Sequence, residues 1–108
     1  MIFIVSRYLI PKGYRGITVF PFIVVRSQTD RDDRVTINHE RIHVRQQLEL
    51  LIIPFFIWYG IEYLVRLLYY RNSGKAYRNI VFEREAYTAE RDIDYLRKRK
   101  IWQFLRFY

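Results

Sequence analysis

The chain has 108 residues, the size of a single domain, and 51% of them are hydrophobic and 19% aromatic, which is too apolar for a disordered chain. It contains no cysteine, so disulfides and thiolate zinc sites are excluded and any transition-metal site must use His, Asp and Glu. The net charge of +8 either serves solubility or favours an anionic partner surface, membrane lipid or nucleic acid.

The first quarter of the chain, residues 1–26, contains two apolar runs that read as β-strands. The run 1–10 is not a cleaved secretory signal, because it has no basic n-region and Arg7 interrupts it. Together with the lack of cysteine, this predicts a cytoplasmic protein. Turn residues at 11–15 predict an antiparallel hairpin with the second run, 16–26, within which Pro21 predicts an edge strand or a bulge.

The middle of the chain reads as a polar loop over residues 27–34, followed by an active-site helix and a backing helix over 35–71. Asp33 or Thr36 is placed to cap the first helix, and Pro54 should kink or divide the segment. The "RNSG" sequence that follows should end the second helix, with Gly74 as its C′ residue.

The last predicted helix, over residues 77–100, carries one apolar stripe at helical spacing, and the basic-aromatic tail 101–108 follows it. The members of that stripe are Phe82, Ala86, Ala89, Ile93 and Leu96. We therefore expect a single domain over 1–108 of the α+β class: a small N-terminal antiparallel sheet of two or three strands, then about three helices.

The stretch "INHERIHVRQQ" contains both histidines of the chain, His39 and His43, four residues apart with Glu40 between them. On a helix, residues i and i+4 share a face, so both imidazoles can reach one Zn²⁺. Glu40 projects about 100° around the helix from His39, where it can take a proton from a metal-activated water. This is the H-E-x-x-H arrangement of zinc hydrolases, and the alternative is a solvated basic helix with two incidental histidines.

A catalytic zinc site normally has three protein ligands, so a third ligand is needed, and here it must be a carboxylate. The richest acidic stretch downstream, "VFEREAYTAERD", offers Glu83, Glu85 and Glu90. Measured from the stripe of the last helix, Glu85 lies about 60° from the centre of the buried face and Glu83 about 100°. Periodicity alone therefore favours Glu85.

The pair "HERIH" and "FEREAY" resembles the gluzincin metallopeptidases, especially the small soluble minigluzincins, and the catalytic cores of membrane relatives of the CAAX prenyl protease and HtpX types. The resemblance implies a fold of strands, motif helix and glutamate helix. It also implies Glu83 as the third ligand, within a pattern close to E-x-x-A-D. Ala86 fits that pattern, whereas Tyr87 stands where an Asp is usual. We therefore predict Glu83 as the ligand, with Glu85 as the alternative.

Four further residues are candidates for a supporting role. Tyr77, Arg78 or Tyr87 could stabilise the transition state, and Asn79, four residues before the ligand, could orient it. For the tyrosines, the alternative is packing.

The uncharged run 50–61 is too short to span a bilayer on its own and contains Pro54, so it is either a buried core helix or a contact with a membrane surface. The segment 97–108, "RKRKIWQFLRFY", suits an anionic surface, with Trp102, Phe104, Leu105 and Phe107 inserted. The inner face of a membrane is thus a candidate partner. Nucleic acid is not expected, because no recognition motif is present.

The function expected from these features is that of a zinc-dependent metallopeptidase domain acting on peptides or proteins. Its metal would be Zn²⁺, held by His39, His43 and Glu83, with Glu40 as the general base. The alternative is a non-catalytic scaffold stapled by zinc, or a membrane-surface adaptor with a degenerate cleft. The sequence predicts no particular oligomeric state.

Overall fold

The computed structural model describes residues 2–11, 13–14 and 16–108. Three short strands form one mixed sheet: β1 (Ile2–Val5), β2 (Gly16–Val19) and β3 (Phe22–Val25). Six α-helices follow among the described residues: α1 (Gln28–Asp32), α2 (Arg34–Leu50), α3 (Ile52–Tyr70), α4 (Ser73–Asn79), α5 (Val81–Ala89) and α6 (Tyr95–Lys98). A 3₁₀ helix, Gln103–Phe107, closes the chain. The α+β class with a small N-terminal sheet is confirmed.

The pairing of the strands differs from the predicted hairpin between the first two runs. The sheet order is β1-β3-β2, with β1 parallel to β3 and β2 antiparallel to β3. The second run alone forms the hairpin, because Phe20 and Pro21 make its turn, so Pro21 marks neither an edge strand nor a bulge. The turn expected over 11–15 lies partly outside the described residues.

The helical half also differs in its boundaries. Residues 27–34 are not only a loop, since Ser27 caps the short helix α1. The division expected from Pro54 is present three residues earlier, at Leu51, and Pro54 lies in the first turn of α3, where the missing N–H costs nothing. Gly74 is not the C′ residue of α3, because Arg71 takes the left-handed conformation there and Gly74 lies within α4.

The single helix expected over 77–100 is interrupted twice. Ile80 is extended, with ψ 135°, which separates α4 from α5, and α5 ends at Ala89. The end of α5 is fixed from outside, because the Asn38 side-chain amide donates hydrogen bonds to the carbonyl oxygens of Glu90 and Asp92, at 2.8 and 3.0 Å. The predicted stripe therefore does not lie on one helix.

Two apolar clusters hold α2 in place, and a third lies between α3, α5 and the tail. Ile23, Val25 and Val44 pack α2 on the sheet, and Ile42 packs it against Ala86 and Ala89 of α5. The third cluster joins α3, α5 and the tail through Phe55, Ile80, Val81, Phe82 and Phe104. Phe104 is fully buried in this cluster, so the expectation that it inserts into a membrane is wrong.

Candidate metal centre

The helix α2 presents both histidines from one turn. Its start is fixed by Asp33, whose carboxylate accepts hydrogen bonds from the Val35 N–H and the Thr36 hydroxyl, both at 3.0 Å, as the sequence predicted for a cap. His39 and His43 are only 5% and 6% exposed, and their rings meet edge to face with centroids 4.8 Å apart. The i, i+4 spacing thus brings the two imidazoles together.

Glu83 comes from the first turn of α5, which packs closely on α2. The small residues Ala86 and Ala89 let the two helices approach each other. No residue of α5 caps its N-terminus, and Glu62 of α3 serves instead by accepting a hydrogen bond from the Val81 N–H at 2.9 Å. This anchors the turn that carries Glu83.

The three predicted ligand atoms converge. The Nε2 atoms of His39 and His43 lie 3.2 Å apart, and Glu83 Oε1 lies 3.2 and 3.0 Å from them. A tetrahedral zinc site with bonds of ~2.0–2.1 Å has ligand atoms about 3.3 Å apart. This buried group could hold a metal ion, and the distances between its three ligand atoms match those of tetrahedral coordination.

Charge at the centre also fits a cation. Burial would lower the pKa of His43, but the adjacent Glu83 carboxylate outweighs that effect and raises it to about 9. Burial would raise the pKa of the Glu83 carboxyl, yet the two imidazoles outweigh that effect and bring this pKa well below the usual range. An ionised carboxylate facing two ring nitrogens attracts positive charge, whether protons or a metal ion.

Further residues orient the three ligands. The Gln46 side-chain oxygen lies 2.8 Å from His43 Nδ1 and accepts a hydrogen bond from the Nδ1–H, which turns Nε2 toward the other two ligands. Glu90 Oε2 lies 3.7 Å from His39 Nδ1. The Tyr59 hydroxyl donates to Glu83 Oε2 at 2.7 Å, so Glu83 has one oxygen turned toward the histidines and the other held by α3.

Glu85 does not lie with the histidines. It is fully buried on the other side of α5, where it accepts hydrogen bonds from Gln46 Nε2 at 2.8 Å, Arg99 Nη2 at 3.0 Å and the Tyr95 hydroxyl. Arg99 also pairs with Glu49. The structure therefore places the alternative ligand in a buried ion-pair network. Through Gln46, that network reaches the back of His43.

Glu40 lies on the sheet side of α2, beside the histidines. Its Oε2 accepts a hydrogen bond from the Thr18 hydroxyl, and the residue is 5% exposed. Gly16 passes close to it: a Cβ at that position would lie 3.0 Å from Glu40 Oε1 and 3.1 Å from the Val24 carbonyl oxygen. Strand β2 therefore holds the carboxylate in place, and the glycine leaves room for it.

The four residues predicted to support the site lie at different places relative to the metal centre. Tyr77 lines the cleft, and Tyr87 packs edge to face on the His39 ring at 4.6 Å between centroids. Arg78 stacks over Tyr87 at 3.9 Å from the ring centroid. Asn79 is partly buried, and its side chain bonds to the Lys75 carbonyl and to Arg84, so it does not orient the ligand.

A cleft of about 390 Å³ opens in front of His43, Glu83 and Glu40. Its other walls include Gly16, Ile17 and Thr18 of β2 and a set of aromatic side chains: Tyr14, Phe55, Phe56, Tyr59, Tyr63 and Tyr77. Residues 97–108 do not line it. Tyr14, Tyr59 and Thr18 could not be recognised as site residues from the sequence, because each is contributed by a different distant segment.

The chain was compared with protein-family models, with curated proteins and with solved structures, and none of these comparisons found a match. The assignment of function therefore depends on the geometry of the site.

Proposed function

We propose that this chain is a zinc-dependent metallopeptidase domain. One observation carries the proposal: His39, His43 and Glu83 bring three ligand atoms to within 3.0–3.2 Å of one another, beside Glu40 and in front of an open cleft. Two imidazoles and one carboxylate form the ligand set of catalytic zinc in several peptidases, and they leave one coordination position open. When bound, zinc acidifies a water molecule and polarises a substrate carbonyl.

Glu40 is the group that moves protons in this proposal. Its carboxylate faces the cleft, and Thr18 fixes one of its oxygens. The carboxylate takes the proton of the attacking water and then delivers it to the amine nitrogen of the departing peptide fragment. Tyr77 is the cleft-lining residue placed to donate a hydrogen bond to the substrate, and burial raises the pKa of its hydroxyl, so it stays protonated.

The substrate class follows from the walls of the cleft. Strand β2 pairs with β3 along one side only, so its other side is a sheet edge beside the cleft, where Gln47 of α2 already donates one hydrogen bond to the Thr18 carbonyl oxygen at 2.7 Å. An extended peptide can add to such an edge by main-chain hydrogen bonds while its side chains enter pockets. The aromatic walls favour large apolar side chains in the substrate.

The test combines metal analysis with cleavage of a peptide library rich in apolar residues. We expect about one zinc per chain, lost in His39→Ala, and cleavage by the wild type. Glu40→Gln should keep the zinc and lose cleavage, and the matched control Asp32→Asn, an exposed carboxylate on α1, should change neither. Absence of bound metal from protein purified without chelator would refute the proposal.

A second candidate function, a structural metal site, is favoured because the three ligands come from two different helices. The three ligands join α2 to α5, so a metal there would staple two helices together whether or not it is catalytic. In this non-catalytic scaffold, zinc raises the melting temperature, and neither the wild type nor Glu40→Gln cleaves any peptide of the library. Cleavage by the wild type alone decides for the peptidase.

A further inference from the structure

The longest helix turns a large apolar surface away from the protein. By length and composition, Ile52–Tyr70 is able to cross a membrane, yet only 11% of its most apolar 18-residue window is buried. It is therefore not the core helix that the sequence left as one alternative. Six large side chains, 57% to 79% exposed, form what we name the outer stripe: Ile53, Ile57, Ile61, Leu64, Val65 and Leu68.

The charged residues of α3 lie on the opposite side. Glu62 is 8% exposed and accepts hydrogen bonds from the Val81 N–H and the Tyr108 hydroxyl, and Arg66 pairs with it at 3.4 Å. A helix facing water shows the reverse pattern, with charges outward and apolar residues inward. Specific protein interfaces carry about one hydrogen bond per 100–200 Å² and a polar rim, and the outer stripe contributes neither charge nor side-chain hydrogen-bond partner.

We propose that the outer stripe is the surface by which this protein binds an anionic lipid bilayer. The helix is about 28 Å long at 1.5 Å per residue, close to the thickness of the hydrocarbon core. Its inner side is occupied by the protein through Phe55 and Glu62, so lipid cannot surround it. The helix therefore lies in the plane of one leaflet, with the stripe at the boundary between headgroups and acyl chains.

Charge favours lipid over a second copy of this chain as the occupant. The chain carries +8, so packing two stripes face to face would bring two strongly basic domains together, whereas anionic lipid attracts them. The end of the chain adds to this surface. Tyr108 lines a groove along α3 together with Ile57, Ile61 and Val65 of the outer stripe. The segment that leads to Tyr108 also carries exposed basic and apolar residues, namely Arg97, Lys98, Lys100, Trp102, Leu105 and Arg106.

The first test measures co-sedimentation of the full chain with vesicles of phosphatidylcholine alone or mixed two to one with phosphatidylserine. We expect binding to the mixed vesicles that weakens with salt. The uncharged double variant Ile57→Gln/Leu64→Gln should bind at least tenfold more weakly, since both side chains are more than half exposed in solution and would enter lipid. The matched control, Ile2→Gln/Tyr8→Gln, removes two exposed apolar side chains outside α3 and should bind within about threefold of wild type.

A second measurement does not depend on the folding of the double variant. The chain has no cysteine, so a single Leu64→Cys or Tyr8→Cys substitution takes one environment-sensitive dye. Vesicles should shift the emission of the dye at position 64 to shorter wavelength and leave that at position 8 unchanged. Either of two results would overturn the proposal: no binding to either vesicle, or equal shifts at both positions. A dimer in ultracentrifugation that Ile57→Gln/Leu64→Gln dissociates, without lipid binding, would assign the stripe to a second copy instead.

Discussion

Two glutamates two residues apart on α5 should respond in opposite ways to the same substitution. Glu83 faces the two histidines, whereas Glu85 faces Arg99 on the other side of the helix. Changing either carboxylate to the isosteric amide removes one charge and almost no volume. The pair Glu83→Gln and Glu85→Gln is therefore its own matched control, with the same chemistry on the same helix.

The magnitudes follow from what each carboxylate touches. Glu83 is one of three ligands, roughly a third of an apparent zinc-binding free energy of about 10 kcal/mol, so its loss should weaken zinc by two to three orders of magnitude. Glu85 and the Arg99 side chain are both fully buried, and breaking such a pair costs about 3–5 kcal/mol. Because Glu49 still pairs with Arg99, we expect about 3 kcal/mol, a fall in Tm on the order of 10 °C.

The assay is a competition titration with a chromophoric zinc chelator, alongside thermal unfolding of the metal-free proteins. We expect Glu83→Gln to lose zinc with the smaller change in Tm, and Glu85→Gln to keep zinc with the larger fall. The reverse pattern, zinc lost from Glu85→Gln and retained by Glu83→Gln, would refute the ligand assignment. Equal loss of zinc in both would show that the network behind His43 acts as part of the ligand set.

Three further results are expected. Gly16→Ala should keep zinc and lower kcat/KM for peptide cleavage roughly ten- to hundredfold, because the new Cβ would lie 3.0 Å from Glu40 Oε1 and displace it. Zinc binding near pH 7 should release about one proton from His43, whose pKa Glu83 raises to about 9 despite burial. Calorimetry in buffers of different ionisation enthalpy should detect that proton, and the apparent affinity should rise about tenfold per pH unit up to pH 9. Phe104→Ala should lower the free energy of unfolding by about 3–5 kcal/mol, measured with urea, because the ring is fully buried.

Each of these three predictions would be contradicted by a specific result. Unchanged cleavage by Gly16→Ala would mean that the position of Glu40 does not limit the reaction. A zinc affinity that does not vary between pH 7 and 9 would mean that His43 is already neutral in the metal-free protein. A loss under about 1 kcal/mol for Phe104→Ala would mean that the tail is a surface appendage and not part of the core.

The local features of the site could be predicted from sequence because they depend on neighbours along the chain. The spacing of His39 and His43 on a helix, and the cap at Asp33, each involve residues within one or two turns. The choice between Glu83 and Glu85 could not be settled by periodicity. The angles assumed one continuous helix over 77–100, whereas α5 ends at Ala89, so Ile93 and Leu96 lie outside it.

The remaining errors concern contacts between distant segments. The parallel pairing of β1 with β3 depends on which strands meet, and residues 1–26 read equally well as a hairpin of the two runs. Glu85 was the alternative metal ligand and Arg99 belonged to the segment expected to face an anionic surface, yet the two are buried together because they neutralise each other. The exposure of α3 also depends on contacts between distant segments, because no other part of the described chain packs over its outer side.

The helix α3 connects the outer stripe with the turn of α5 that carries Glu83. On the inner side of α3, Tyr59 donates a hydrogen bond to the Glu83 carboxylate, and Glu62 accepts one from the first turn of α5. A displacement of α3 would therefore change the position of the proposed metal ligand through these two hydrogen bonds. Thermodynamic reciprocity then applies: by whatever factor attachment to a bilayer changes the affinity for zinc, zinc must change the affinity for the bilayer by the same factor.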